Sequence, residues 1–169
     1  MWIKLQKLCN NIREVIFMQL TQKEKDLLKD MKDEEQLCID KYTRHAQTAH
    51  DAQLKNLFSC IAQVEREHLN TLSSIESSGT VPSSSGGGTN CPTTFTATYN
   101  STETSNKKDD CFLCSDLLAG EKHASHLYDT CVFEFGDTNI RDTINHIQKE
   151  EQNHGKMIYD YMKTNSMYS

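Results

Sequence analysis

At 169 residues, with a formal net charge of −6 and a pI near 5.6, the chain is sized for one domain around a single core. The acidic balance and the absence of clustered Lys and Arg argue against a nucleic-acid or anionic-lipid surface, and apolar runs of only a few residues exclude a membrane span. Two prolines and long amphipathic segments rich in Leu, Ile, Lys, Glu and Gln favour an all-helical class without strands.

Residues 1–17 carry a short apolar stripe (Leu5, Leu8, Ile12, Val15, Ile16) that either docks on the rest or forms an extension dispensable for folding. We adopt the second reading. The same stretch has no continuous apolar core and no small-residue cleavage site, so synthesis on the cytoplasmic side is expected rather than secretion. From residue 18 onward a single bundle is expected.

Thr21 followed by Glu24 is a capping box, and the first helix should run from there to about Ala49, with Leu28, Met31, Cys38 and Tyr42 on one face. Asp51 can cap a second helix carrying Leu54, Leu57, Phe58, Ile61, Val64, His68 and Leu72, ending near Ser78. Residues 76–110 then turn to Ser, Thr, Gly and Asn. That composition predicts a crossover without helix, long enough to travel the length of a bundle, with Phe95 and Tyr99 as anchors. A third helix is expected from about Asp110 to Phe135. After the Gly136-Asp137 turn, a fourth should run to about Lys163. The cysteines number seven, and Cys38, Cys60 and Cys131 fall on apolar faces, where a reduced thiol acts as a small hydrophobe. No disulfide framework is expected. Cys111-x-x-Cys114 lacks the second thiolate pair of a zinc or rubredoxin-type site and reads as a free or cross-linking pair.

The two halves repeat each other. A shift of 86 superposes them without a gap over about 40 residues, bringing Leu27 onto Leu113, Asp30 onto Asp116, Glu35 onto Glu121, Tyr42 onto Tyr128, Asp51 onto Asp137, Glu65 onto Glu151 and His68 onto His154. Glu65-x-x-His68 and Glu151-x-x-His154 each set a carboxylate and an imidazole one turn apart on one helix face. Two such pairs alone say little, since Glu and His are ordinary on a solvated helix. Each pair, however, is preceded by a Glu 30 residues earlier, and Glu65 and His68 share the stripe of Leu57, Ile61 and Leu72. Glu35 lies on the line Leu28, Met31, Cys38, Tyr42, whereas Glu34 is rotated off it by about 100°. Four inward carboxylates and two imidazoles are costly to bury unpaired, and a pair of dications would compensate them. Tyr42 and Tyr128 follow their glutamates by two turns and either fill the core or hydrogen-bond the charged layer. The five other histidines have no partner in the opposite half and are expected on solvated faces or helix edges.

A Glu from each of two helices plus Glu-x-x-His from each of the other two resembles the ligand set of ferritin-like di-iron and di-manganese carboxylate proteins. That resemblance implies a ferritin-like four-helix bundle of two helix pairs with two Fe or Mn ions. It assigns Glu35 and His68 to one ion and Glu121 and His154 to the other, with Glu65 and Glu151 bridging. The segments LLKDMKDEEQLCIDKY, FTATYN, LCSDLLAGEKHASHLYD and HIQKEEQNHGKMIYDYMK further resemble CotF-type spore coat proteins over about residues 18–169. This second resemblance implies synthesis in the mother cell of a sporulating bacterium and a place in or near the coat, among other coat proteins or further copies of itself. Rubrerythrins carry an extra Glu where this chain has Ala124, which speaks against peroxidase chemistry of their kind. Manganese catalases share the layout and keep a di-metal oxidoreductase acting on peroxide or oxygen open as the alternative to a structural coat component.

Overall fold

The capping signals in the sequence act where they were expected. In the computed structural model, which describes residues 20–82 and 90–168, Thr21 accepts from the Glu24 amide while the Glu24 carboxylate accepts from the Thr21 amide at 2.7 Å. That box opens α1, Gln22–Thr48. Asp51 accepts from the Gln53 amide at 2.9 Å to open α2, Ala52–Ser78, which Gly79 ends in the left-handed conformation at φ 67°. Thr104 caps α3, Ser105–Val132, and Asp137 caps α4, Thr138–Thr164. No strand occurs among the described residues. The 1–17 extension lies outside them.

Two boundaries differ from expectation. α3 begins at Ser105 rather than near Asp110, because Thr104 caps the Lys107 amide and buried Lys107 is itself satisfied by the Asn100 carbonyl and Glu103. It ends at Val132, three residues short, and Phe135 folds into the core from the turn instead.

α1 packs on α2 and α3 on α4, while α1 also lies beside α3 and α2 beside α4. Pairs such as Lys23–Glu134 and Tyr128–Glu35 show that α1 and α3 run antiparallel. The end of α2 and the start of α3 are therefore at opposite ends of the bundle. The crossover must span a helix of 27 residues, about 40 Å.

Its far end is fastened by several contacts. Gln53 brackets Thr96 with two hydrogen bonds of 3.0 Å, and the Asn165 side chain accepts from the Thr98 and Tyr99 amides. Tyr99 donates to Asp110 at 2.7 Å, and Phe95 stands edge-on to Tyr161, so both expected anchors hold. A further fastening corrects the cysteine reading: Cys60 is not a reduced core thiol but is disulfide-bonded to Cys91. Cys60 sits half-buried on the flank of α2 that the crossover passes, with the two Cα atoms 5.6 Å apart. Cys38 and Cys131 remain free and buried, and Cys111 and Cys114 are free as well.

Each hairpin turn is latched by a carboxylate from the other hairpin. Asp110 accepts from the His50 and Asp51 amides at 2.8 and 3.0 Å, and Glu24 accepts from the Gly136 amide at 2.9 Å. Burial pushes the Glu24 carboxyl up, but the Gly136 and Thr21 donors outweigh it and hold it below the usual range. Two apolar clusters fill the interior. One centres on Leu54, Leu57, Phe58, Leu117 and Ile158; the other on Leu28, Met31, Leu72, Ile140 and Ile144. Between them lies a layer that is not apolar.

Candidate metal centre

The layer is made by the six residues that the duplication picked out. Glu35, Glu65, His68, Glu121, Glu151 and His154 are each 3 % exposed or less, supplied by α1, α2, α3 and α4. The neighbouring Glu34 points outward toward exposed His123, as the rotation of the helix requires.

Both imidazoles aim Nδ1 at the carboxylates. His68 Nδ1 stands 3.1 Å from Glu65, 3.1 Å from Glu151 and 3.5 Å from Glu35. His154 Nδ1 stands 3.0 Å from the other Glu65 oxygen and 3.7 Å from Glu121. The two rings stack with centroids 5.9 Å apart. Although close, most of these atoms are out of line for hydrogen bonding: one oxygen of Glu35, Glu65 and Glu121, both of Glu151, and His154 Nδ1 have no hydrogen-bond partner.

Donor atoms fall into two groups, Glu35, Glu65, His68 and Glu151, and Glu65, Glu121, Glu151 and His154. Within each group all lie inside 4.8 Å, close to the span of donors around one ion at ~2.2 Å. Glu65 and Glu151 belong to both. Two such groups could each hold a metal ion.

The buried charges act strongly on one another. Burial first, and then Glu65, push Glu35 up to about 8; burial and the surrounding Glu65, Glu35 and Glu121 hold Glu151 well above the carboxylate range. Burial would also raise Glu65, but His154 and His68 outweigh it and hold its carboxyl well below the usual range. Burial works against charging either imidazole. The surrounding carboxylates win, Glu150 first for His68 and Glu65 first for His154, and both imidazoles are held well above their ordinary value.

Tyr42 and Tyr128 are fully buried, and each donates its hydroxyl across the bundle: Tyr42 to Glu121 and Tyr128 to Glu35. They therefore fill the core and hold the carboxylates at once. Burial first, and then those glutamates, raise both phenols.

One contributor escaped the sequence reading. Glu150, next to Glu151 in the sequence, accepts from His68 Nε2 at 2.9 Å and lies 3.4 Å from His146. A carboxylate behind a ligand histidine fixes the ring and raises its basicity. Its counterpart under the shift of 86 is Val64, so the repeat itself drew attention away from it. A cavity of about 330 Å³ opens beside it, lined by Val64, Cys91, Glu150, Asn153 and His154.

Fold and site together define an all-α four-helix bundle with a buried carboxylate and imidazole layer able to hold metal ions. Residues 109–169, a little over a third of the chain, match the Coat F domain family. That segment holds nearly all of α3 and all of α4, with Glu121, Tyr128, Glu151 and His154, and the match supports association with the spore coat. No curated protein and no solved structure matches the chain. No helix among the described residues is long and apolar enough to cross a membrane.

Proposed function

We propose that the chain is a spore coat-associated, ferritin-like protein, its bundle starting at residue 18, whose central layer binds two Fe or Mn ions. Glu35 and His68 serve one ion, Glu121 and His154 the other, and Glu65 and Glu151 bridge. The reading rests on the six orphaned donor atoms that face one another between two apolar clusters. An unfilled cluster of this kind costs stability, and a pair of dications recovers it.

The protein's own residues do the preparatory work. Tyr42 and Tyr128 hold the terminal carboxylates in place, Glu150 holds the His68 ring, and the apolar clusters keep water from the layer above and below. Because Glu35 and Glu151 keep their protons to unusually high pH, metal ions and protons compete for the same oxygens.

A second reading, a di-metal oxidoreductase acting on peroxide or oxygen, is favoured by the two histidines and bridging carboxylates around adjacent sites. Metal analysis of the purified chain, with peroxide and oxygen consumption measured on the same sample, decides between them. Two ions per chain without turnover support the structural coat role; turnover abolished by Glu65→Ala or His154→Ala supports the enzyme. A well-folded chain that takes up neither metal removes the dinuclear centre.

A further inference from the structure

The two halves are equivalent in their ligands but not in what surrounds them. Under the shift of 86, Ile39, Arg66 and Leu69 on the first hairpin correspond to Ser125, Gln152 and Gly155 on the second. On the first side Ile39 is buried, and Arg66 folds back onto the Ala62 carbonyl and the Thr43 hydroxyl. On the second side the three smaller or unbranched residues border a cavity of about 330 Å³ between α3 and α4, whose lining includes Glu121 and Glu151 themselves.

Gly155 is the telling residue. It lies within α4 and is not in the left-handed conformation, so the backbone does not demand it. Close packing does not demand it either: a Cβ there would sit 3.5 Å from Leu118 and 3.6 Å from Glu121, ordinary contact distances. A helix-interior glycine costs about 1 kcal/mol relative to alanine. What the missing side chain leaves is room at the cavity wall for no more than one methyl, against Leu118 and the Cβ and Cγ of Glu121, and anything longer than alanine would extend into the cavity.

Resting on the dinuclear reading above, we propose that this cavity is the port by which a small ligand of two or three heavy atoms, of the size and polarity of hydrogen peroxide, reaches the metal pair. Access is then one-sided. It comes through the Ser125, Gln152 and Gly155 face and not through the equivalent face of the first hairpin.

The test restores the first hairpin's residues to the second. With the ferric iron-loaded full chain, azide binding is followed by its charge-transfer absorption. Gly155→Leu and Ser125→Ile are expected to slow it at least about ten-fold with metal content unchanged, while Asn153→Leu, in the cavity beside His154, leaves it unaltered. Slowing by Asn153→Leu alone, or no slowing by either port variant, overturns the proposal. A measurement on the metal-free chain keeps the port separable from the metal reading. Under oxygen pressure, paramagnetic relaxation should be faster at residues 121, 151 and 155 than at 35, 65 and 69, and Gly155→Ala, which fits without strain, should reduce that excess. Equal relaxation on both faces refutes the port even if the chain binds no metal.

Discussion

The α1–α2 and α3–α4 hairpins match in the inward carboxylates, imidazoles and tyrosines and diverge in what surrounds them. In the middle, Glu35, Glu65 and His68 mirror Glu121, Glu151 and His154, and the tyrosine contacts mirror too. At the edges the first hairpin is tied to the crossover by Cys60–Cys91, whereas position 146, the counterpart of Cys60, is an exposed histidine. The turn latches differ as well. Asp110 receives two amides and the Tyr99 hydroxyl, while Glu24 receives the Gly136 amide and donors from its own cap residue. A site shared by two halves constrains them jointly, and whatever only one half touches is free to specialise.

The largest test of that division lies among the ligands. Glu65 and Glu151 belong to both donor groups, so under the proposed dinuclear reading Glu65→Ala should abolish binding of both ions. Glu35→Ala should leave about one ion per chain, in the Glu121 and His154 group, because Glu35 falls in only one of the two donor groups. Equal losses from the two variants, read by metal analysis, would break the assignment of shared and terminal roles.

Next in size is the disulfide. It closes a loop with a sequence separation of 31, and Cys60→Ser should lower unfolding stability by roughly 2–4 kcal/mol in denaturant titrations under oxidising conditions. Under reducing conditions the variant and the parent should converge. The latches come third: Asp110→Ala strands three donors and should cost roughly 2–4 kcal/mol, against about 1–2 kcal/mol for Glu24→Ala. A reversed order in thermal or chemical unfolding would mean that the crossover adds nothing to the α1–α2 turn.

The smallest expected effect concerns Glu150. Glu150→Gln should weaken binding at the His68 side by about ten-fold, and Val64→Glu should strengthen the His154 side by a similar factor. Stepwise metal titration reads both. If Glu150→Gln weakens the two ions equally, the asymmetry does not lie there.

Against this pattern it is clear why some of the molecule could be read from sequence and some could not. The six inward residues were legible because two independent periodicities agreed on them, the apolar stripe of each helix and the 86-residue repeat. The caps at Thr21, Asp51 and Asp137 were legible because capping is local chemistry. Cys60 was misread because its partner lies on a segment without periodicity, and nothing local fixes where such a segment passes. Glu150 was missed because it breaks the repeat. Asp110 looked like a helix start, and its latch depends on where the opposite hairpin turns. Contacts that cross between irregular and regular segments are set by the assembled bundle, and no window of sequence contains them.

The crossed tyrosines carry one last implication. Tyr42 reaches Glu121 and Tyr128 reaches Glu35, so neither hairpin completes the polar shell of its own glutamate. A lone hairpin would own three of the four residues of one donor group and one of the four of the other, and could complete the layer only by associating with a twin about a twofold axis. The crossover joins the two hairpins in one chain, so each can carry residues the other lacks, as at Gly155, Glu150 and Cys60.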